Sequence, residues 1–213
     1  MTHAEVYREL ERDRDTATTW WRHHLATLRR PVLKARKLPF IHWAEYISPK
    51  RRIRYLFFTH ILDKRMRNIL TAVAVPNLTD DGTAVYTSFL SDQPLINPMV
   101  ILPHVWKRYR ERTGCDLTGA DLYRRFFTQN PNGFNSTNKK AVARSVRYLG
   151  KPNLSLCLQE GVLLGQVEND VFVARTFITY DMASGLQAEE FDDRRQRILT
   201  YEEMNDLSDW WYL

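Results

Sequence analysis

Three apolar, β-branched runs follow one another in residues 53–89, which read IRYLFFTHILDKRMRNILTAVAVPNLTDDGTAVYTSF. The runs cover 53–61, 69–75 and 83–89, and each has the length and composition of a strand. Turn-forming residues separate them. The pattern therefore predicts an antiparallel meander, in which Pro76 ends the second strand.

A second meander is predicted nearer the C-terminus, because β-branched and apolar runs again alternate with short turns. Its strands are predicted at 155–159, 162–167 and 171–180. Between the two meanders, starts at Pro or Thr and stops at Gly predict helices at 103–113, 118–128 and 137–149. The fold class that follows is α+β, with an antiparallel sheet built from two meanders and packed helices.

The two ends of the chain are predicted to be helical. An N-terminal helix over 4–28 is expected, ended or interrupted by Pro31, and 1–30 would form a helical extension of a single α+β domain, 1–213. Residues 181–213 form an acidic segment, with helices predicted near 187–198 and 201–211. Its aromatic residues either complete the core or anchor the segment on the basic half of this chain or of a partner.

Composition narrows the classes of function. A net charge of +6 and a pI near 9.4 favour RNA or another polyanion as partner. The two cysteines form no C-x-x-C pair, and motifs for nucleotide-binding loops, zinc proteases and serine hydrolases are missing from the sequence. No metal and no cofactor are therefore expected. Without an apolar leader or a membrane-length run, a cytoplasmic protein with no membrane partner is predicted, of undetermined oligomeric state.

Residues 29–67 carry twelve Lys and Arg side chains, against only Glu45 and Asp63, with six aromatic residues interleaved. Cations can follow a nucleic-acid backbone while rings stack on bases. The alternative is a strand pair whose outward cations protect its edge. A further basic group on the predicted helix 137–149 is open to the same two interpretations. The candidate nucleic-acid-binding residues are Arg51, Arg52, Arg54, Lys64, Arg65, Arg67, Arg110, Lys139, Lys140 and Arg144.

The predicted helix 103–113 places His104, Arg108 and Arg112 four residues apart, which aligns them in a stripe beside the core-facing side. Neighbouring cations disfavour a protonated imidazole, so His104 is expected to be neutral and able to act as a general base. The two guanidiniums suit phosphate oxygens and the charge that develops in a transition state. The alternative is a solvated Arg-rich face on which His104 caps the first turn or packs against Trp106.

This His-x3-Arg-x3-Arg helix, followed by an antiparallel sheet, resembles the helix of barnase/RelE-like toxin ribonucleases. The resemblance covers helix 103–113 and the late strand 171–180. It implies that a hydroxyl on that strand, Thr176 or Thr179, positions the phosphate. It further implies metal-independent cleavage of RNA, in which His104 takes the proton of a ribose 2′-hydroxyl. The long N-terminal half and the extra helices depart from such small toxins.

The function expected from the sequence is therefore interaction with nucleic acid, extending to metal-independent ribonuclease activity through the His/Arg/Thr group. The alternative is a non-catalytic protein-interaction or accessory module, whose basic surface binds an acidic partner.

Overall fold

The computed structural model describes residues 2–90, 98–131, 134–136, 147, 153–185 and 188–196. The chain divides into two compact units, 1–100 and 101–213, which are described separately below. Each unit combines helices with an antiparallel meander, so the predicted α+β class is confirmed. The prediction of a single domain stays a prediction.

Unit 1 contains a meander of four strands in which each strand pairs with the next. They are β1 (Phe40–Ile47), β2 (Arg54–Ile61), β3 (Ile69–Thr79) and β4 (Gly82–Leu90). The predicted strands correspond to β2, β3 and β4, and β1 is an addition to them. The end predicted for β3 at Pro76 is wrong. Pro76 lies beyond Ala74, the last residue of β3 that pairs with β2, where a missing N–H costs little.

Two helices replace the single helix predicted over 4–28, and a third follows it. They are α1 (His3–Glu11), α2 (Arg14–Thr27) and α3 (Arg29–Lys34). A capping box between Thr2 and Glu5 starts α1. Pro31 lies within the first turn of α3, where a missing N–H breaks no helical hydrogen bond. The breaks between helices let each one turn its own apolar side to the protein interior.

Aromatic side chains of α2 pack on one face of the hairpin formed by β1 and β2. Trp21 is 1% exposed and stacks on Phe57 of β2, with ring centroids 4.9 Å apart. Trp20 contacts Tyr46 of β1 at 5.2 Å. Because successive side chains of a strand point to opposite faces, the even-numbered residues of β1 face α2 and the odd-numbered residues face away.

Unit 2 contains the helices α4 (Pro103–Thr113) and α5 (Gly119–Gln129), both within one residue of their predicted bounds. Gly114 ends α4 in the left-handed conformation, with φ of 64°, as expected of a C-cap glycine. Residues 188–196 form a further helix, α6, inside the range predicted as 187–198. The strands are β6 (Phe134–Ser136), β7 (Asn153–Cys157), β8 (Val162–Glu168) and β9 (Val171–Ile178), after a short β5 (Met99–Ile101) at the boundary between the units.

Helices cover both faces of the unit 2 meander. Tyr109 of α4 meets Phe177 of β9 edge to face at 5.2 Å. On the opposite face, Phe191 of α6 packs with Cys157 and Val162, and Ile178 joins that cluster. Most of the predicted helix 137–149 and all of 197–213 lie outside the described residues.

Two imidazoles connect α2 to β1. The Nε2 atoms of His24 and His42 lie 2.9 Å apart, and the ring centroids lie 5.1 Å apart. These distances place the two nitrogens nearly on the line that joins the rings, so one Nε2–H donates to the lone pair of the other. Two protonated rings would place two N–H groups against each other, and the pair therefore tolerates only one proton between the facing nitrogens.

We expect acid to destabilise unit 1 through this pair. Burial, followed by the charge of a protonated His24, lowers the pKa of His42 below its ordinary value. The unfolded chain then binds more protons than the folded one, so stability falls as the pH drops below about 6.5. Thermal unfolding at pH 8 and at pH 5.5 should show a larger loss for the natural protein than for His42→Gln. The exposed neighbour His23, replaced by Gln, is the control, and equal losses in all three proteins would contradict the expectation.

Candidate functional site

The predicted stripe exists on α4. His104 and Arg108 are exposed, whereas Arg112 is partly buried, so burial increases along the stripe toward the end of the helix. Val105, Trp106 and Tyr109 are buried, as predicted for the core-facing side, and exclude water from the adjoining arc of the helix. The stripe therefore borders the packed side of α4.

His104 is held by the backbone of β9. The register passes from Leu164↔Thr176 to Gly165↔Ala174, so Arg175 is an extra residue in a β-bulge. Its carbonyl accepts a hydrogen bond from Nε2 of His104. Because a carbonyl can only accept, this contact assigns the proton to Nε2 and leaves Nδ1 as the nitrogen that could take a proton from a substrate.

The two arginines of the stripe differ in their surroundings. Arg108 forms an exposed ion pair with Glu111 at 3.0 Å, which leaves its guanidinium partly neutralised. Arg112 has a buried Nη1 for which the described residues provide no hydrogen-bond partner. Arg110 lies on the other flank of α4, about 160° around the helix from Arg112, and is therefore separate from the stripe.

Thr176 and the stripe lie on opposite faces of the unit 2 meander. Thr176 shares its face with Ile178, which packs in the cluster around Phe191 of α6, whereas Phe177 points to Tyr109 of α4. Thr179 follows the end of β9, and its carbonyl accepts a hydrogen bond from Met182 at 3.1 Å. The group on β9 that the structure brings to His104 is thus the Arg175 carbonyl, not the Thr176 hydroxyl.

A partly buried polar cluster that the sequence did not predict surrounds Glu160, in the turn between β7 and β8. Tyr109 donates to Glu160 Oε2 at 2.5 Å, and Arg125 donates to Oε1 at 2.8 Å. Asn130 Nδ2 also donates to Oε2 at 3.0 Å, while the Glu160 N–H donates to Asn130 Oδ1 at 3.1 Å. Both carboxylate oxygens are occupied, so Glu160 fastens the turn to α4 and α5.

Tyr109 is a neutral donor in this cluster. Burial, together with the hydrogen bond to Glu160 and the charge of that carboxylate, raises the pKa of Tyr109 above its ordinary value. The sequence marks 160–161 only as a turn, and no spacing of residues connects Glu160 to α4 or α5. The cluster could be found only once the two helices and the turn were placed in space.

The basic segment 29–67 is organised by the hairpin of β1 and β2 in unit 1. All twelve of its Lys and Arg side chains are exposed. The register pairs Phe40 with Ile61, so the residues before β1 and the turn after β2 lie at one end of the hairpin. At the other end, Ile47 pairs with Arg54 across the turn 48–53. The cations at the first end are Arg36, Lys37, Lys64, Arg65 and Arg67, and those at the second end are Lys50, Arg51, Arg52 and Arg54.

The two carboxylates of the segment have defined partners. Glu45 pairs with Arg54 at 2.7 Å. Asp63 accepts hydrogen bonds from the backbone N–H groups of Arg65, Arg67 and Asn68, and so folds the turn that presents the neighbouring cations. Arg51 pairs with Asp13 at 3.7 Å. Within the described chain, the other ten cations of the segment form no ion pair.

Between the two basic ends, β1 exposes apolar side chains on the face away from α2. Ile41, Trp43 and Ile47 are 43%, 38% and 42% exposed. Their neighbours on β2, Leu56 and Phe58, are buried. The exposed apolar strip is therefore one strand wide, on a strand that at about 3.3 Å per residue is roughly 23 Å long over its eight residues. We refer to Ile41, Trp43 and Ile47 as the β1 strip.

Groups of side chains that would hold a metal were sought in the described ranges, and none with three or more His, Cys, Asp or Glu was found there. Over the same ranges, every helix is too short or too polar to cross a membrane. Comparison of the chain with protein-family models, with curated proteins and with solved structures found no match.

We expect Glu160→Gln to destabilise unit 2 by roughly 1–3 kcal/mol, because the amide cannot accept from Tyr109, Arg125 and Asn130 at once. Glu111→Gln removes an exposed carboxylate from α4 and should change stability by less than about 1 kcal/mol. Urea unfolding of both variants measures the difference. Equal losses would show that the Glu160 cluster contributes no more than a surface ion pair.

Proposed function

We propose that this protein binds nucleic acid through the basic hairpin of unit 1. The observation that supports the proposal most strongly is the charge of residues 29–67, whose twelve cations and two carboxylates give +10, in a chain whose total is +6. All twelve cations are exposed, and nine of them lie at the two ends of a single hairpin, while the other three lie on α3. Such a concentration of exposed charge displaces counterions from a phosphate backbone when it binds, which drives association.

The arrangement of the charges favours a polyanion over a single phosphate group. The cations lie at both ends of β1, about 23 Å apart. Contacts at such a distance require a ligand that carries phosphates along its length. An acidic protein partner is the alternative, since its carboxylates could pair with the same cations. The exposed indole of Trp43 between the two ends favours nucleic acid, because bases can stack on it.

Ribonuclease activity is the second candidate, and it concerns unit 2. The exposed His104, anchored to the bulge at Arg175 with Nδ1 left to accept a proton, supports it. Thr176 does not share the face of this site, so the phosphate would be positioned by Arg108 and Arg112, with Thr179, just past the end of β9, as the remaining hydroxyl of the predicted pair.

We expect binding to a short RNA to weaken steeply as salt increases, with a slope that falls by about 1.5 when Lys64 and Arg65 are both replaced by Gln. Glu45→Gln removes the carboxylate that neutralises Arg54 and should strengthen binding about two- to fivefold at low salt. Fluorescence anisotropy at several salt concentrations measures both effects.

The matched control for these charge changes is Lys107→Gln. Lys107 is exposed on α4, outside the hairpin, and should leave the affinity within about twofold of the natural protein. If Lys64 and Arg65 can be replaced with no more effect than Lys107, the hairpin is not the binding surface. If the protein binds no nucleic acid at low salt, the proposed function is wrong and an acidic protein partner becomes the better candidate.

His104→Ala should abolish any cleavage of RNA by the protein, because it removes the only proposed base. The assay uses a labelled RNA in the presence of a metal chelator, with Lys107→Gln as the folded control. Cleavage that persists in His104→Ala would show that His104 is not the base. Binding by the hairpin should be unchanged in the same variant, which separates the two proposals.

A further inference from the structure

The shape of the β1 strip carries information about the form of the nucleic acid, and the inference drawn from it rests on the proposed function. β1 is the first strand of the meander, and among the described residues of unit 1 it pairs only with β2. Ile41, Trp43 and Ile47 project from one face of it at alternate positions, because α2 occupies the other face. The strip is thus a single row of partly exposed side chains.

The width of the strip limits what can lie on it. Leu56 and Phe58, the β2 neighbours on the same face, are 0% and 2% exposed, so the accessible surface ends about 4.8 Å from β1. A duplex presents its two backbones across grooves and hides the faces of its bases inside the stack. A single strand can place one backbone along this row and turn its bases onto the ring of Trp43.

The charges around Trp43 fit the same ligand. Glu45 is the only carboxylate of β1, and it pairs with Arg54 at 2.7 Å, so the surroundings of Trp43 carry little net charge. The unpaired cations lie beyond each end of the strand. A base stacked at Trp43 would therefore have its own phosphates directed toward the two basic ends, which is the arrangement of an aromatic platform within an electrostatic groove.

A membrane surface is the other class of partner that combines cations with exposed apolar residues, and the geometry favours it less. Proteins that lie on a lipid bilayer commonly bury the apolar face of an amphipathic helix in it. The β1 strip lies along a strand, and its members are less than half exposed. The most exposed apolar side chain described, Leu78 at 81%, lies instead at the tip of the β3–β4 hairpin beside Asp80 and Asp81, where anionic lipid would be repelled.

We infer that the β1 strip is a binding site for single-stranded nucleic acid, in which Trp43 stacks on a base between the two basic ends of the hairpin. The site takes single-stranded RNA or DNA in preference to a duplex and tolerates different base sequences, since every base has a face that can stack on an indole.

The test measures the affinity of the full chain for single-stranded RNA of about 12 nucleotides and for the duplex of the same sequence. The natural protein should bind the single strand more tightly.

Trp43→Ala should weaken single-strand binding about tenfold without changing its salt slope, and Trp43→Phe should restore most of the affinity. Leu78→Ala, an exposed apolar residue elsewhere in unit 1, is the matched control and should bind like the natural protein. Circular dichroism verifies that each variant is folded.

A spectroscopic measurement isolates the stacking itself. Single-stranded RNA should quench part of the tryptophan fluorescence of the natural protein, and that part should be lost in Trp43→Phe. The inference would be overturned if Trp43→Ala left the affinity unchanged and if duplex and single strand bound equally well. Salt-dependent binding in that case would leave the proposed function standing. Absence of nucleic-acid binding would overturn both, as would binding to vesicles of anionic phospholipid in place of RNA.

Discussion

The packing of Trp21 on Phe57 is the contact on which the arrangement of unit 1 depends. It places α2 on one face of the β1–β2 hairpin, and the alternation of the strand then assigns every residue of β1 to a side. A shift of β1 by one residue would exchange the two sides and bury Trp43 in place of His42. The same contact therefore determines both which side chains form the core and which remain accessible to a ligand.

Unit 2 depends on comparable packing, but its polar groups are more involved in holding the fold together. The ring of Tyr109 packs against Phe177, and its hydroxyl donates a hydrogen bond to Glu160. One side chain therefore connects α4 both to a strand and to a turn. His104 donates a hydrogen bond to the carbonyl of Arg175, the extra residue of the bulge. This contact accounts for a histidine at that position without any catalytic role, and it also gives the ring the fixed orientation that a general base requires.

The charge of the protein is distributed unevenly along the chain. Residues 29–67 carry +10, so the remaining residues together carry −4. Exposed like charges at the ends of one hairpin repel each other and reduce stability, which is a cost that folding alone does not require. The cost is understandable if a polyanion neutralises these charges in the bound state. The carboxylates that could have neutralised them are used otherwise, since Asp63 folds a turn and Glu45 compensates Arg54 alone.

The sequence by itself determined the elements whose signals are local. The periodicity of strands β2, β4, β8 and β9 and the glycine at the end of α4 are properties of a few neighbouring residues, and they predicted those elements within about two residues. The same holds for the stripe of His104, Arg108 and Arg112, because helical spacing alone aligns it. The break at 12–13 and strand β1 escaped prediction. For β1, the charge and aromatic content of the segment obscured an alternation that matters only when α2 covers one side. Only the tertiary structure decided which residues of different elements contact each other. It brings His104 to a backbone carbonyl, turns Thr176 away from that site and lets Glu160 join two helices. It also leaves Trp43 exposed between two basic ends. Those relations depend on strand register and helix packing, which join residues far apart in the chain and leave no local spacing to detect.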